Sequence, residues 1–256
     1  HHLNLAHGLA VHAIRAARDG TRLGVADILT HIQPASDDSA DRAAAARVDV
    51  NNNRLFLDPV LGGGYTPAIT DLYGTHGLES LIRADDEAII GAPLDFLAVN
   101  HYHHMIIEAD ETDPHLGARG VSAEPATTSL GWSVTPDALY GVLRLVHDRY
   151  PPVPLYITEN GASYVDYVDP SGEVRDIERI DYLRGYLGAA ARAIGDGIDL
   201  RGYFAWSLLD NFEWGEGYRS RFGLVYVDYG TQQRIPKASA RWYRDLIRRW
   251  EGGAGT

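Results

Sequence analysis

The sequence predicts an α/β fold built on a parallel sheet, and two observations carry that prediction. Short apolar runs rich in β-formers alternate along the chain with longer segments of helical periodicity, the order that crossover helices between parallel strands require. The 256 residues are 45% hydrophobic and no low-complexity linker divides them, so residues 1–256 are expected to form one domain with a packed core.

The elements follow in order. Residues 1–18 carry Leu5, Leu9, Val11 and Ile14 among alanines, a helical pattern that should stop at Asp19-Gly20. "RLGVADIL" (22–29) reads as a strand, and Ser-Asp-Asp at 36–38 opens a capped helix running to about 57. After the glycine-rich "LGGGYTP" comes a helix with its approach over 66–90, then the strand "LDFLAVNHY" (94–102) and a long loop containing Pro and Gly. "TPDALYGVLRLVHDRY" (135–150) is a helix whose Pro136 suits its first turn. The strand "PLYIT", a helix over 176–196, the strand "LRGYFAWSL" (200–208) and a final helix over about 236–250 complete the series. Four strands support either part of a (β/α) barrel or a doubly wound sheet; a closed eight-stranded barrel needs twice as many.

Composition excludes several functions. A net charge of −12 opposes a nucleic-acid or anionic-membrane partner, which would need a basic surface. Lys237 is the only lysine, and the arginine excess reads as GC-rich coding. With no cysteine there is no disulfide, thiolate metal site or cysteine nucleophile. No run reaches the length of a transmembrane helix. No signal peptide is evident, but the chain starts without a methionine, as the middle of a longer protein would; the expectation is a bacterial cytoplasmic protein, with export left open.

Chemistry concentrates at strand ends. Glu159 in "PLYITENG" stands where an apolar strand meets Asn160-Gly161, a turn signal that by itself suggests only a chain surfacing. In "LAVNHYHH" the period-two rule puts Asn100, Tyr102 and His104 on one face and His101 and His103 on the other. Those histidines lack a nearby carboxylate to complete a metal set, and His1, His2 and His7 read as helix packing. The richest stretch, residues 203–229, holds Trp206, Asp210, Glu213, Trp214, Glu216 and Tyr218. Aromatic faces stack on the C–H face of a sugar while carboxylates accept hydrogen bonds from its hydroxyls; the alternative is an aromatic loop packed on itself.

Together "VNHY", "YITENG", "RGYFAWSLLDNFEWGEGYRSRFGLVYVDY" and "TQQRIPKASARWYRDLI" make the chain similar to the C-terminal half of glycoside hydrolase family 1, the β-glucosidase family. The resemblance implies a (β/α)8 TIM barrel of which this chain supplies roughly the second half, strands 5 to 8. It also implies retaining hydrolysis of terminal, unphosphorylated β-D-glycosides or oligosaccharides without a cofactor or metal. By the same resemblance Glu159 matches the nucleophile, Tyr102 the tyrosine that bonds it and Asn100 the asparagine beside it. Trp206 matches the sugar platform, Glu213 and Trp214 the pair that holds the outer hydroxyls, and Phe222 an aromatic residue lining the pocket. The family's general acid/base lies in an Asn-Glu-Pro motif, which this sequence does not contain. The resemblance therefore makes an N-terminal half of the barrel the expected partner. Nothing in the spacing of Asp95, Asp210 or Glu216 puts a substitute opposite Glu159. "LGVADILTHIQP" and "VNHYHH" depart from the family's "LNLTPVYP"-like and "VNYYT" stretches, and His101 is expected to be a packing change. A catalytically silent half-barrel that binds sugar or mediates assembly is the competing reading. A (β/α) enzyme of unrelated chemistry has no metal set, phosphate loop or Ser-His pair behind it.

Overall fold

The computed structural model describes residues 1–18, 20–121 and 127–253. Four parallel strands form its central sheet in the order β1 (Gly24–Ile28), β3 (Phe96–Asn100), β6 (Leu155–Asn160) and β7 (Leu200–Ala205). These are the four strands expected from the apolar runs. Leu97, Val99, Leu155 and Ile157 are almost fully buried, and each such aliphatic side chain is worth about 1.5–3 kcal/mol.

Helix α1 (His2–Ala17) precedes β1. It ends at Ala17, with Arg18 extended; the expected stop at Asp19 lies outside the described residues. His1 ties this end to α6 (Asp86–Ile90), its Nε2 standing 3.0 Å from Asp86. Helix α7 (Pro136–Arg149) buries Ala138, Leu139, Val142, Leu143 and Val146, one stripe at helical spacing. Helix α8 (Ile177–Gly195) buries Tyr182, Leu183, Tyr186, Ala189, Ala190 and Ala193 in the same way. These stripes cover one face of the sheet. The C-terminal helix α9 (Ala238–Gly253) packs beside α8.

The structure corrects several expected elements. The helix placed over 36–57 divides into α2 (Ser39–Asp49), a π-helical turn over Val50–Arg54, and α3 (Leu55–Leu61). Asp38 caps α2, accepting from the Ala40 amide at 2.8 Å. The 66–90 helix is broken into α4 (Pro67–Tyr73), α5 (Leu78–Leu81) and α6: Gly77, at φ 82°, separates the first two, and Ile82 turns extended after α5. The loop after residue 102 contains β4 (His104–Ala109) and β5 (Ala118–Val121), while residues 122–126 lie outside the described residues. With β2 (His31–Pro34) they form a second sheet, β2 and β4 parallel, β4 and β5 antiparallel. Ala44, Ala45 and Val48 of α2 pack on it against Ile107. Because β2 follows β1 and β4 follows β3, this sheet continues from the C-terminal ends of the first. A hairpin of β8 (Val225–Val227) and β9 (Arg234–Pro236) precedes α9. Among the described residues no helix is long and apolar enough to cross a membrane.

Candidate active site

The sequence-predicted residues meet at the C-terminal ends of β3, β6 and β7. Asn100 is the last residue of β3 and lies in register with Glu159 of β6. The Tyr102 hydroxyl, two residues beyond β3, donates to Glu159 Oε2 at 2.5 Å. Burial pushes the Tyr102 phenol well above its ordinary pKa, and the bond to Glu159 pushes it further. The hydroxyl is therefore a proton donor at any physiological pH. Thr158 Oγ1 donates to Asn100 Oδ1 at 2.6 Å and holds that amide beside the carboxylate.

Asn160 differs from its expected role as a turn residue. It is the final residue of β6 and fully buried, its amide donating to His101 O at 2.7 Å and accepting from the Tyr203 hydroxyl at 2.6 Å. Gly161 is required by close approach: a Cβ there would stand 1.8 Å from Trp206 O. The chain thus passes directly from the strand of Glu159 to contact with Trp206, whose amide donates to Asn160 O at 2.9 Å. The Trp206-Ser207 peptide is cis.

Phe222 is buried at 2% exposure and packs edge-on against Tyr102, ring centroids 6.2 Å apart. Trp132, which the motifs did not single out, closes this aromatic group at 5.6 Å from Tyr102 and 6.1 Å from Phe222. Its position in the loop segment Gly131-Trp132-Ser133 carried no periodic signal. His103 stacks obliquely on Trp132 at 5.3 Å. Alternation had put His103 on the face opposite Tyr102, but β3 ends at Asn100 after a register shift at Val99, and period two does not survive beyond the strand. His101 is a packing residue as expected: it is fully buried, its ring meets Tyr186, and its Nδ1 lies 2.8 Å from Leu29 O.

The pKa of Glu213 is raised, first by burial and then by the nearby charge of Glu159, with the Trp206 side chain opposing the shift. Trp214 is not brought into the group with it: the side chain is 82% exposed on a turn closed by Glu213 N to Gly217 O. The other carboxylates are engaged elsewhere. Asp95 accepts from Leu23 N at 2.7 Å, Glu216 pairs with Arg219, and Asp210 is buried between Lys237 and Arg221. Among the described residues no cluster of His, Cys, Asp and Glu has the makings of a metal site.

Asp210 belongs to a larger buried group. Asp166, Asp176 and Asp210 face Arg179, Arg221 and Lys237, three anions against three cations. Burial pulls the Lys237 ammonium below its ordinary pKa, Arg179 adds to that, and Asp166 and Asp210 oppose it.

A parallel sheet with crossover helices, with a tyrosine-held carboxylate and aromatic rings at its strands' C-terminal ends, is the arrangement of half a (β/α)8 barrel. The sequence matches the model of Glycosyl hydrolase family 1 over residues 1–251, and the chain belongs to that family. It is 39% identical over 249 residues to Beta-glucosidase A of Thermotoga maritima, covering 97% of this chain and 55% of the relative. It is 42% identical over 265 residues to a bifunctional beta-D-glucosidase/beta-D-fucosidase of Bifidobacterium breve, covering 96% and 56%. The AHE enzyme of Alicyclobacillus herbarius superposes with a TM-score of 0.94 at 40% identity, over 98% of this chain and 56% of that one. The family 1 β-glucosidase structure from Thermotoga maritima gives 0.90 at 38%, over 95% and 54%. The chain spans about half the length of these relatives and matches their C-terminal half.

Proposed function

We propose that this chain is the C-terminal half of a retaining β-glycosidase of the β-glucosidase type, with Glu159 as nucleophile. The observation that carries the reading is the 2.5 Å bond from the Tyr102 hydroxyl to Glu159, with the Phe222 ring against Tyr102 and Glu213 close enough for its charge and that of Glu159 to interact. A carboxylate oxygen of Glu159 attacks the anomeric carbon, forming an ester bond as the bond to the leaving oxygen breaks. That oxygen takes a proton from a second carboxylic acid, which retaining enzymes keep roughly 5–5.5 Å from the first. The same group then deprotonates a water, whose oxygen displaces Glu159 and releases the sugar. The second acid, the general acid/base, comes from the N-terminal half of the barrel, the partner this reading requires. Trp206 stacks on the sugar and Glu213 takes its outer hydroxyls. Glu213 would repel a phosphate, which favours an unphosphorylated glycoside.

The test is Glu159→Gly in the barrel completed by an N-terminal half carrying Asn-Glu-Pro. Hydrolysis should vanish, and azide should restore turnover with an α-glycosyl azide as product. Unchanged turnover, or a β-glycosyl azide, removes Glu159 from the role. The silent sugar-binding half-barrel remains the competing reading. Sugar binding with no hydrolysis in the completed barrel would select it.

A further inference from the structure

Lys237, the only lysine, is fully buried at the start of α9. Its ammonium reaches two loops at once, 2.5 Å from Asp166 Oδ2 and 2.9 Å from Asp210 Oδ1. Asp166 ends the segment that follows Glu159. Arg179 also binds Asp166 and donates to Ala162 O at 3.3 Å, so this carboxylate is rigidly joined to the nucleophile's loop. Asp210 lies between Trp206 and Glu213. Its Oδ1 accepts from the amide of Gly223 at 2.9 Å, which ties the platform loop to Phe222. Lys237 therefore stands where the segment of Glu159 meets the segments of Trp206, Glu213 and Phe222.

Burying such a group is costly, and apolar side chains of similar volume commonly stabilise a fold as well or better. What the ammonium adds is direction: three donors on one nitrogen, two of them committed to carboxylates on different loops. We propose that Lys237 is a positioning residue that sets the spacing between the nucleophile's loop and the sugar-stacking loop. This rests on the reading of Glu159, Trp206 and Glu213 as a sugar site. Without the ammonium, Asp166 keeps Arg179 and Asp210 keeps Arg221, and the Trp206 amide still bonds Asn160 O, but among the described residues no side chain links the two carboxylates and the spacing between their loops loosens.

The test uses 1-deoxynojirimycin, a sugar-shaped amine whose ammonium suits Glu159 and whose hydroxyls suit Glu213. The chain is labelled with 13C at the lysine ε-carbon and 15N at the tryptophan indoles, with Trp206→Phe assigning the Trp206 signal. In the wild-type chain the single lysine signal and the Trp206 indole should move together with one Kd. Lys237→Met should weaken binding roughly 10-fold or more, since misplacement by about 1 Å is that costly in a preorganised site. The double variant Lys237→Met with Asp210→Asn restores charge balance; it should recover cooperative folding yet keep the weak binding. A folded double variant with wild-type Kd overturns the proposal. So does a lysine signal that stays still while Trp206 responds, a result available even if both variants fail to fold. A wild-type chain that shows no Trp206 response sinks the underlying sugar-site reading instead.

Discussion

Glu159 near the end of β6 and Asp210 in the loop after β7 are carboxylates on neighbouring segments, and their surroundings are opposite. Asp210 receives Lys237 and Arg221, and the amides of Gly223 and Val227 as well. Glu159 receives a neutral phenol, and among the described residues no cation pairs with it. A fully matched charge has no capacity left for a ligand, whereas one held by a single hydroxyl still presents a free oxygen. The contrast separates a charge that joins segments of the fold from one that keeps an oxygen free.

Four measurements would break or sharpen this contrast. The largest effect should come from Arg179→Met, which leaves Asp166 and Asp176 short of a cation in the interior. Urea unfolding should show a loss of about 3–5 kcal/mol, the usual result of breaking a buried pair. A loss under about 1 kcal/mol would make the group energetically like a surface ion pair. Tyr102→Phe removes one hydrogen bond to a charged group, worth about 1.5–3 kcal/mol. In the completed enzyme kcat/KM should fall roughly 10- to 100-fold, with the melting temperature nearly unchanged. If kcat/KM holds, the Tyr102 bond is not part of the reaction.

Asp27 is a third kind of carboxylate, on the strand β1 beside a cavity of about 240 Å³ that it shares with His7 and Leu57. Burial pushes its carboxyl up to about 7 from 3.8. Between those values the folded chain keeps a proton that the unfolded chain has released. The stability from this group is therefore complete below pH 3.8 and is lost as pH rises to about 7. Asp27→Asn should match the wild-type melting temperature near pH 4 and exceed it increasingly up to pH 7, then hold that margin. Parallel curves over the whole range would mean that Asp27 is solvated. The smallest effect belongs to Arg144→Ala, which breaks an exposed i,i+4 pair with Asp148. It should cost about 0.3–0.5 kcal/mol by urea unfolding, and more would extend the buried group's behaviour to the surface.

Much of the sheet was legible because its strands are short apolar runs: "FLAVN" and "LYIT" have few other ways to bury themselves. The second sheet was not. β4 and β5 are only partly buried, and in "HMIIEA" and "ARGV" no apolar alternation separates a strand from a loop. Tyr102 and Glu159 entered through motifs, as did Trp206 and Phe222. Trp132 carried no such signal, since its place depends on three rings meeting across the fold.

By itself the sequence determined the order of the parallel strands' segments, the helical stripes of α7 and α8, and the family, because these rest on local periodicity and contiguous motifs. Only the tertiary structure decided that Asn160 closes a strand, that Trp214 stands outside the pocket, and that a lone lysine joins two loops. Each depends on partners separated by tens of residues, and burial and hydrogen bonding at that range have no period along the chain.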